Sequence, residues 1–115
     1  VDEQYFPYAR PQESGNKTEV RWVSFSNAKG NKVIYSYADS LLSFAALPYS
    51  LDDLDPEMNK KQYHSGELNK RNEIYLHMDL QQSGLQGMDS WGSMPLEQYR
   101  IPFKDFSYSY WMRFE

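Results

Sequence analysis

Two segments near the end of the chain alternate between apolar and polar side chains, and this alternation limits the possible folds more than any other feature. The segments are residues 73–80 and 106–114. Because successive side chains of a β-strand point to opposite faces of a sheet, a period of two predicts strands with one face toward a core. In the first segment Ile74, Leu76, Met78 and Leu80 share one face, and the other, outer face holds Glu73, Tyr75, His77 and Asp79. In the second segment one face holds Phe106, Tyr108, Tyr110, Met112 and Phe114, and the opposite face holds Ser107, Ser109, Trp111 and Arg113.

Aromatic residues extend the β signal to the first half of the chain. They make up 17% of the 115 residues, and such side chains suit a pleated, half-buried surface. Residues 20–25 and 33–37 are β-rich, and between them Gly30 can take the positive φ of a hairpin loop. We therefore predict a hairpin here, preceded by an irregular extended arm over residues 1–19.

The middle of the chain is ambiguous. Residues 41–47 contain Leu and Ala, which favour a helix, but their number also fits a fully buried strand, so both interpretations stay open. Ser50 and Asp53 have the spacing of a capping box, which predicts a helix of one or two turns limited by Pro56. Residues 59–72 are polar and expected to be exposed.

Composition excludes several classes of function. The 16 acidic and 12 basic residues give a net charge of -4, whereas nucleic-acid binding draws on clustered Lys and Arg. The chain has no cysteine, which removes disulfides and thiolate chemistry. No apolar run approaches the ~20 residues of a membrane-spanning helix. Nucleic-acid and membrane partners are therefore not expected. The chain starts without Met or a targeting signal, so we expect a fragment or a processed chain.

No pattern of titratable residues predicts catalysis by this chain. Glycoside hydrolysis needs two carboxyl groups held across one bond, and no spacing pairs two acids in that way. An acidic cluster at residues 52–55 lacks the glycine and distal glutamate of an EF-hand, so a solvated helix end is expected. His64 and His77 have no third ligand at a zinc-like spacing. We expect neither a catalytic residue nor a metal ligand here.

The glycine-rich segment 81–100 is the candidate functional region. Structureless loops of about 20 residues are uncommon in compact domains and often carry function. This one contains Asp89, Ser90 and Trp91. An indole presents a flat face to the C–H side of a sugar ring, and the two polar neighbours can bond hydroxyl or backbone groups. The alternative is structural: Trp91 plugs the end of a core, while Asp89 and Ser90 cap the turn.

Several short motifs follow one order along nearly the whole chain. They are RPQESGN at residues 10–16, VRW at 20–22, LSFAALPY at 42–49, DL at 53–54, YLHMD at 75–79, Gly84, Gly87, DSWG at 89–92 and YSY at 108–110. Each piece alone is weakly specific, but the ordered set is specific. It resembles the C-terminal domain, or small-chain region, of family 2 β-galactosidases of the bacterial lactose-hydrolysing type.

The resemblance implies an all-β fold: an antiparallel β-sandwich of the galactose-mutarotase-like, or supersandwich, type. Residues 1–115 would form a partial sandwich, because the family's C-terminal domain is longer. Residues 41–47 would then be a strand. In such enzymes a central barrel domain of the same polypeptide supplies both catalytic glutamates, the galactose-binding residues and the magnesium and sodium ions, so no cofactor is expected in this chain.

The resemblance also implies an activity and partners. The parent enzyme would be a retaining β-galactosidase that hydrolyses terminal non-reducing β-D-galactose residues. Its partners would be the β-galactoside substrate, the barrel domain and further copies in a homo-oligomer. The enzyme is expected to be soluble, cytoplasmic or periplasmic, with the compartment unknown.

One residue of the family's last domain lines the active site. It is the Trp of the Asp-Ser-Trp motif, which stacks on the substrate's sugars and helps form the aglycone subsite. It falls on Trp91, with Asp89 and Ser90 shaping the loop. This chain departs from the family at Gln86 and Met88, losing one glycine and one polar group. Two other interpretations are a free-standing carbohydrate-binding module and a structural interface domain with Trp91 buried in its own core.

Overall fold

The computed structural model describes residues 1–55, 64–84 and 92–115. Over these residues the chain is mostly β, as predicted: six strands form two three-stranded antiparallel sheets, and helices are limited to single turns. The strands are β1 (Lys17–Val20), β2 (Trp22–Ser26), β3 (Lys32–Tyr37), β4 (Leu42–Leu47), β5 (Tyr75–Asp79) and β6 (Tyr110–Phe114), and the α-helix is α1 (Leu51–Leu54). Short 3-10 turns lie at Asp2–Gln4, Ser65–Glu67 and Glu97–Tyr99.

The chain divides into two units. The first comprises Val1–Thr18 and Phe44–Met78, and the second comprises Glu19–Ser43 and Asp79–Glu115. The sheet with strand order β1-β4-β5 belongs mainly to the first unit, and the sheet with order β2-β3-β6 belongs to the second.

The predicted hairpin is confirmed in the second unit. Strands β2 and β3 pair antiparallel, and Gly30 in the connecting loop has φ +86. The Asn27 side chain orders this loop, because its Oδ1 accepts from the amides of Lys29 at 2.9 Å and Asn31 at 3.1 Å. This self-capping by a short amide is typical of Asn in tight turns. Strand β3 pairs with β6 on its other edge, so it is the central strand of the sheet.

The strand predicted over residues 106–114 is shorter than expected. Only Tyr110–Phe114 form β6, and the prediction for residues 106–109 is wrong. Pairing with β3 ends where Tyr37 lies opposite Tyr110, after which the Ser109 hydroxyl donates to the Asp39 carboxylate. Alternation shows which side chains share a face, but it does not show whether a partner backbone reaches them. Every residue of β6 is exposed, so neither face of this strand is covered in the described part of the chain.

The ambiguous segment at residues 41–47 forms strand β4, as the family resemblance implies. Five of its six residues are buried, and Pro48 directly after it is also buried. The strand is central in its sheet, between β1 and β5. A strand that is paired on both edges and covered on both faces reads as a continuous apolar run, so helix propensity gave no usable signal here.

The alternation predicted for β5 does not produce one buried and one exposed face. The strand covers Tyr75–Asp79, and all five residues are half-buried. Tyr75 and His77, assigned to an outer face, instead line a recess together with Ala45, Leu47 and Leu54. Tyr and His each have an apolar body with a polar tip, so they can cover a small residue such as Ala45 while the polar tip remains in contact with water. Ile74, assigned to the inner face, is 45% exposed.

The N-terminal arm is more ordered than predicted. It begins with a 3-10 turn and ends in β1, so the prediction of an irregular segment over residues 1–19 is wrong at both ends. Polar contacts fix it to residues 64–70: the Tyr5 hydroxyl donates to Ser65 Oγ at 3.1 Å, and Lys70 Nζ pairs with Asp2 Oδ2 at 2.5 Å. Gly15, with φ +72, lies so close to Gln4 that a Cβ there would be 2.3 Å from the Gln4 carbonyl oxygen.

Candidate functional site

The predicted site residues Asp89, Ser90 and Trp91 lie outside the described residues, as do Gln86, Gly87 and Met88. The structure therefore describes the two ends of this segment, at Gly84 and from Gly92 onward. Those ends determine how the candidate loop is attached to the second unit.

The start of the loop is fixed by close backbone packing. The Gly84 amide donates to the Tyr99 carbonyl oxygen at 2.7 Å. A Cβ at Gly84 would lie 2.7 Å from Tyr99 Cβ and 3.1 Å from that oxygen, so only glycine fits. Tyr99 belongs to the 3-10 turn at Glu97–Tyr99, a feature that the prediction of a structureless loop missed. The chain thus returns to Gly84 after leaving it, which closes the base of the loop.

After the loop, the described chain resumes at Gly92. Gly92 has φ +103, a conformation that favours glycine, and open space surrounds the position of a Cβ. Further along, Arg100 Nε donates to the Pro95 carbonyl oxygen at 2.5 Å. These contacts show that the segment carrying the Asp-Ser-Trp motif starts and ends on ordered backbone.

A bidentate ion pair joins Asp53 to Arg71. The guanidinium binds both carboxylate oxygens, with Nε–Oδ2 at 2.6 Å and Nη2–Oδ1 at 2.8 Å. The predicted capping box is confirmed on the same carboxylate: the Ser50 amide donates to Oδ2 at 2.8 Å, and the Asp53 amide donates to Ser50 Oγ at 3.2 Å. Arg71 first, and then Ser50, lower the pKa of Asp53 to about 2. The acidic residues belong to a helix end, as predicted, and Asp52 and Asp55 are exposed, whereas Asp53 is bound to Arg71 and Ser50.

The histidines lie apart in roles that do not suggest catalysis. His77 Nδ1 is 3.2 Å from Glu13 Oε1, beside the recess of the first unit. His64 Nδ1 bonds the Ala9 carbonyl oxygen at 3.1 Å, and its amide donates to Glu67 Oε2 at 2.5 Å. Among residues 1–55, 64–84 and 92–115, no cluster of three or more His, Asp or Glu could hold a metal ion.

Sequence reasoning missed these long-range partners. Asp53 and Arg71 are 18 residues apart, and Glu13 and His77 come from opposite ends of the first unit, so no local spacing could have revealed either pair. Trp22 and Trp111 were also not recognised as candidate binding residues. The sequence could have indicated them, because each tryptophan alternates with polar residues along its strand.

The fold and the glycine-flanked loop define a class: a mostly β domain with two three-stranded sheets and no metal cluster in its described part. Comparison with known proteins makes this specific. The family model described as "Beta galactosidase small chain" matches residues 1–112. The chain belongs to this β-galactosidase small-chain family.

Individual relatives agree with the family. β-Galactosidase BgaC of Bifidobacterium adolescentis is 36% identical over 98 residues, which cover 84% of this chain and 9% of that protein. A β-galactosidase of Priestia megaterium is 33% identical over 101 residues, covering 88% of this chain and 9% of that protein. A third β-galactosidase, from Staphylococcus xylosus, is 31% identical over 107 residues, which cover 93% of this chain and 10% of that protein. The chain thus spans about a tenth of the length of these relatives. In the described residues, no helix has the length and apolarity to cross a bilayer.

Proposed function

We propose that residues 1–115 are the C-terminal β-sandwich region of a larger β-galactosidase that hydrolyses terminal non-reducing β-D-galactose residues. The observation that supports this most strongly is the family match over residues 1–112, together with relatives that are themselves β-galactosidases. The catalytic glutamates and the magnesium and sodium ions would lie in a barrel domain of the same polypeptide. The active enzyme would be a homo-oligomer.

Within that enzyme, Trp91 would contribute one wall of the substrate pocket. Its indole would stack on the sugar bound at the aglycone position, with Asp89 and Ser90 shaping the loop. The contact at Gly84 supports this role, because a 2.7 Å backbone bond joins described residues that precede and follow the motif. Loops positioned by a rigid scaffold carry a large share of binding residues.

The galactose-mutarotase-like sandwich would be completed by further chain. Sheet β2-β3-β6 exposes apolar side chains of its last strand, with Met112 at 52% and Phe114 at 72%. Contiguous apolar surface of this kind usually marks an interface. A second sheet from the longer polypeptide would cover it.

The test is substitution of Trp91 in the full-length enzyme, with lactose as substrate. Trp91→Ala should weaken sugar binding by about 1–3 kcal/mol, which is roughly 5- to 150-fold in KM. It should also shift the balance between hydrolysis and transfer to a sugar acceptor. Trp91→Phe keeps an aromatic face and should lose much less. Met94→Ala is the control, because Met94 is 65% exposed on the same segment. Unchanged kinetics in Trp91→Ala would remove this residue from the site.

A further inference from the structure

One face of sheet β2-β3-β6 carries two tryptophans in register. Trp22 on β2 lies opposite Ser36 on β3, and Ser36 lies opposite Trp111 on β6, so the three residues form one row across the sheet. The indoles are 63% and 70% exposed. The next row on the same face holds Ser24, Ile34 and Arg113.

The aromatic ring contacts of the sheet lie on the face opposite these two indoles. That face carries the apolar set, in which the rings of Phe25 and Tyr35 lie 6.2 Å apart and those of Tyr35 and Tyr110 lie 6.0 Å apart. Trp22 and Trp111 instead share the more polar face with Ser24, Ser36, Lys32, Arg113 and one aliphatic residue, Ile34. Large aromatic side chains held in water on a polar face are typical of a surface that binds something.

The row forms a groove rather than a flat patch. Trp22, Ser36 and Trp111 line it together with Lys32, Ile34 and Arg113, and its volume is about 480 Å³. The small Ser36 keeps the floor low between the two indoles. Their strands flank β3 on its two edges, so the two tryptophans lie on either side of Ser36. The volume of the groove lies within the range of small-molecule binding sites.

Three charged side chains stand at one end of the groove. Arg113 Nη2 is 2.7 Å from Glu115 Oε1, and Lys32 Nζ is 3.5 Å from Glu115 Oε2. Reciprocal backbone bonds of 2.8 Å between Lys32 and Glu115 hold the pair in register. The set carries two positive charges and one negative charge, and both cations are paired with Glu115. It offers N–H donors and a carboxylate acceptor, which are the groups that hydrogen-bond the hydroxyl groups of a sugar.

We propose that this groove is a second carbohydrate-binding site, which takes β-linked pyranosides. Trp22 and Trp111 stack on the C–H faces of the sugar rings, which are flat and extended in β-linked chains. Arg113, Lys32 and Glu115 bond the hydroxyl groups. The site uses none of the residues of the Asp-Ser-Trp motif, so it does not depend on the proposed role of Trp91.

The test uses the full-length protein, oxidised with the tryptophan-directed reagent N-bromosuccinimide and mapped by mass spectrometry of peptides. Without sugar, Trp22 and Trp111 should be oxidised. Lactose should protect both in a saturable way at millimolar concentration, whereas equimolar sorbitol should not. If both indoles resist oxidation without sugar, the rest of the polypeptide or a second copy covers the groove, and the proposal is overturned. It is equally overturned if lactose leaves their oxidation unchanged, even where it protects Trp91.

Variants make the assignment residue-specific. Trp22→Ala should raise the lactose concentration that half-protects Trp111 about fivefold, since one stacking face is lost. Trp111→Ala should do the same for Trp22. Phe103→Ala is the matched control, because Phe103 is a fully exposed aromatic of the same unit that does not line the groove. An equal shift in the Phe103 variant, or no shift in either Trp variant, contradicts the proposal.

Discussion

Removing the charge of Asp53 should weaken the junction between α1 and the segment before β5. The carboxylate binds Arg71 with two hydrogen bonds and closes the capping box with Ser50. In Asp53→Asn a carbonyl oxygen remains to accept from the Ser50 amide, so mainly the ion pair is lost. In Asp53→Ala the cap is lost as well. The two variants therefore separate the ion pair from the cap.

The magnitude follows from the pKa of Asp53. Lowering that pKa from 3.8 to about 2 sets a ceiling of roughly 2 kcal/mol for stabilisation of the carboxylate. The Arg71 side chain is 45% exposed, so solvent screening reduces the effect to about 1 kcal/mol for Asp53→Asn. Loss of the cap adds about 1 kcal/mol in Asp53→Ala. Local opening should then increase about fivefold and about thirtyfold, respectively.

Amide hydrogen exchange in the intact protein measures this opening. The reporters are the amides of Leu54, bonded to the Ser50 carbonyl oxygen at 3.2 Å, and of Arg71, bonded to that of Pro48 at 3.0 Å. The double variant Asp53→Asn/Arg71→Gln should exchange no faster than the less protected single variant, because both lose the same pair. Fully additive effects at the two positions would refute the reasoning.

The pH dependence has a definite sign. A carboxylate whose folded pKa lies below its unfolded pKa adds stability above the unfolded value, and this stability is lost as the pH falls through the folded value. The protection difference between wild type and Asp53→Asn should therefore be complete above pH 3.8 and should shrink as the pH falls toward about 2. A difference that persists unchanged below pH 2 would show that charge is not its origin.

Three further substitutions test the packing. Gly15→Ala should destabilise the first unit by at least about 1 kcal/mol in chemical denaturation, because φ is +72 and a Cβ would strike the Gln4 carbonyl; an unchanged midpoint would contradict this. Gly84→Ala should push residue 84 away from Tyr99 and speed hydrogen exchange of the backbone amide at position 84; an exchange rate equal to that of the wild type would contradict this. Leu42→Ala should cost about 2–5 kcal/mol in urea unfolding, since Leu42 is 2% exposed; a loss below 1 kcal/mol would place it outside the core.

Local features of the fold could be predicted from the sequence, and non-local ones could not. The Gly30 loop and the Ser50 cap depend on residues within a few positions, so their chemistry can be read directly. The partner of Asp53 and the inward side of Tyr75 depend on chain brought together by folding. The candidate site shows the same division. The glycine-rich loop with Trp91 could be singled out from the sequence, and the family resemblance implied a role for Trp91, whereas the Gly84–Tyr99 contact appears only in three dimensions.

The two faces of β6 differ in how favourably further chain could cover them. Phe114 lies on the apolar face and is 72% exposed, while Trp111 lies on the polar face and is 70% exposed. The two side chains are similarly exposed, but their surroundings differ. Only the face that carries Phe114 also carries the ring contact between Tyr35 and Tyr110. Covering that face would remove a large apolar surface from water, whereas covering the other would desolvate Arg113 and Lys32 at a cost. We therefore expect further chain over Phe114, whereas the proposed sugar site requires the Trp111 side to stay open.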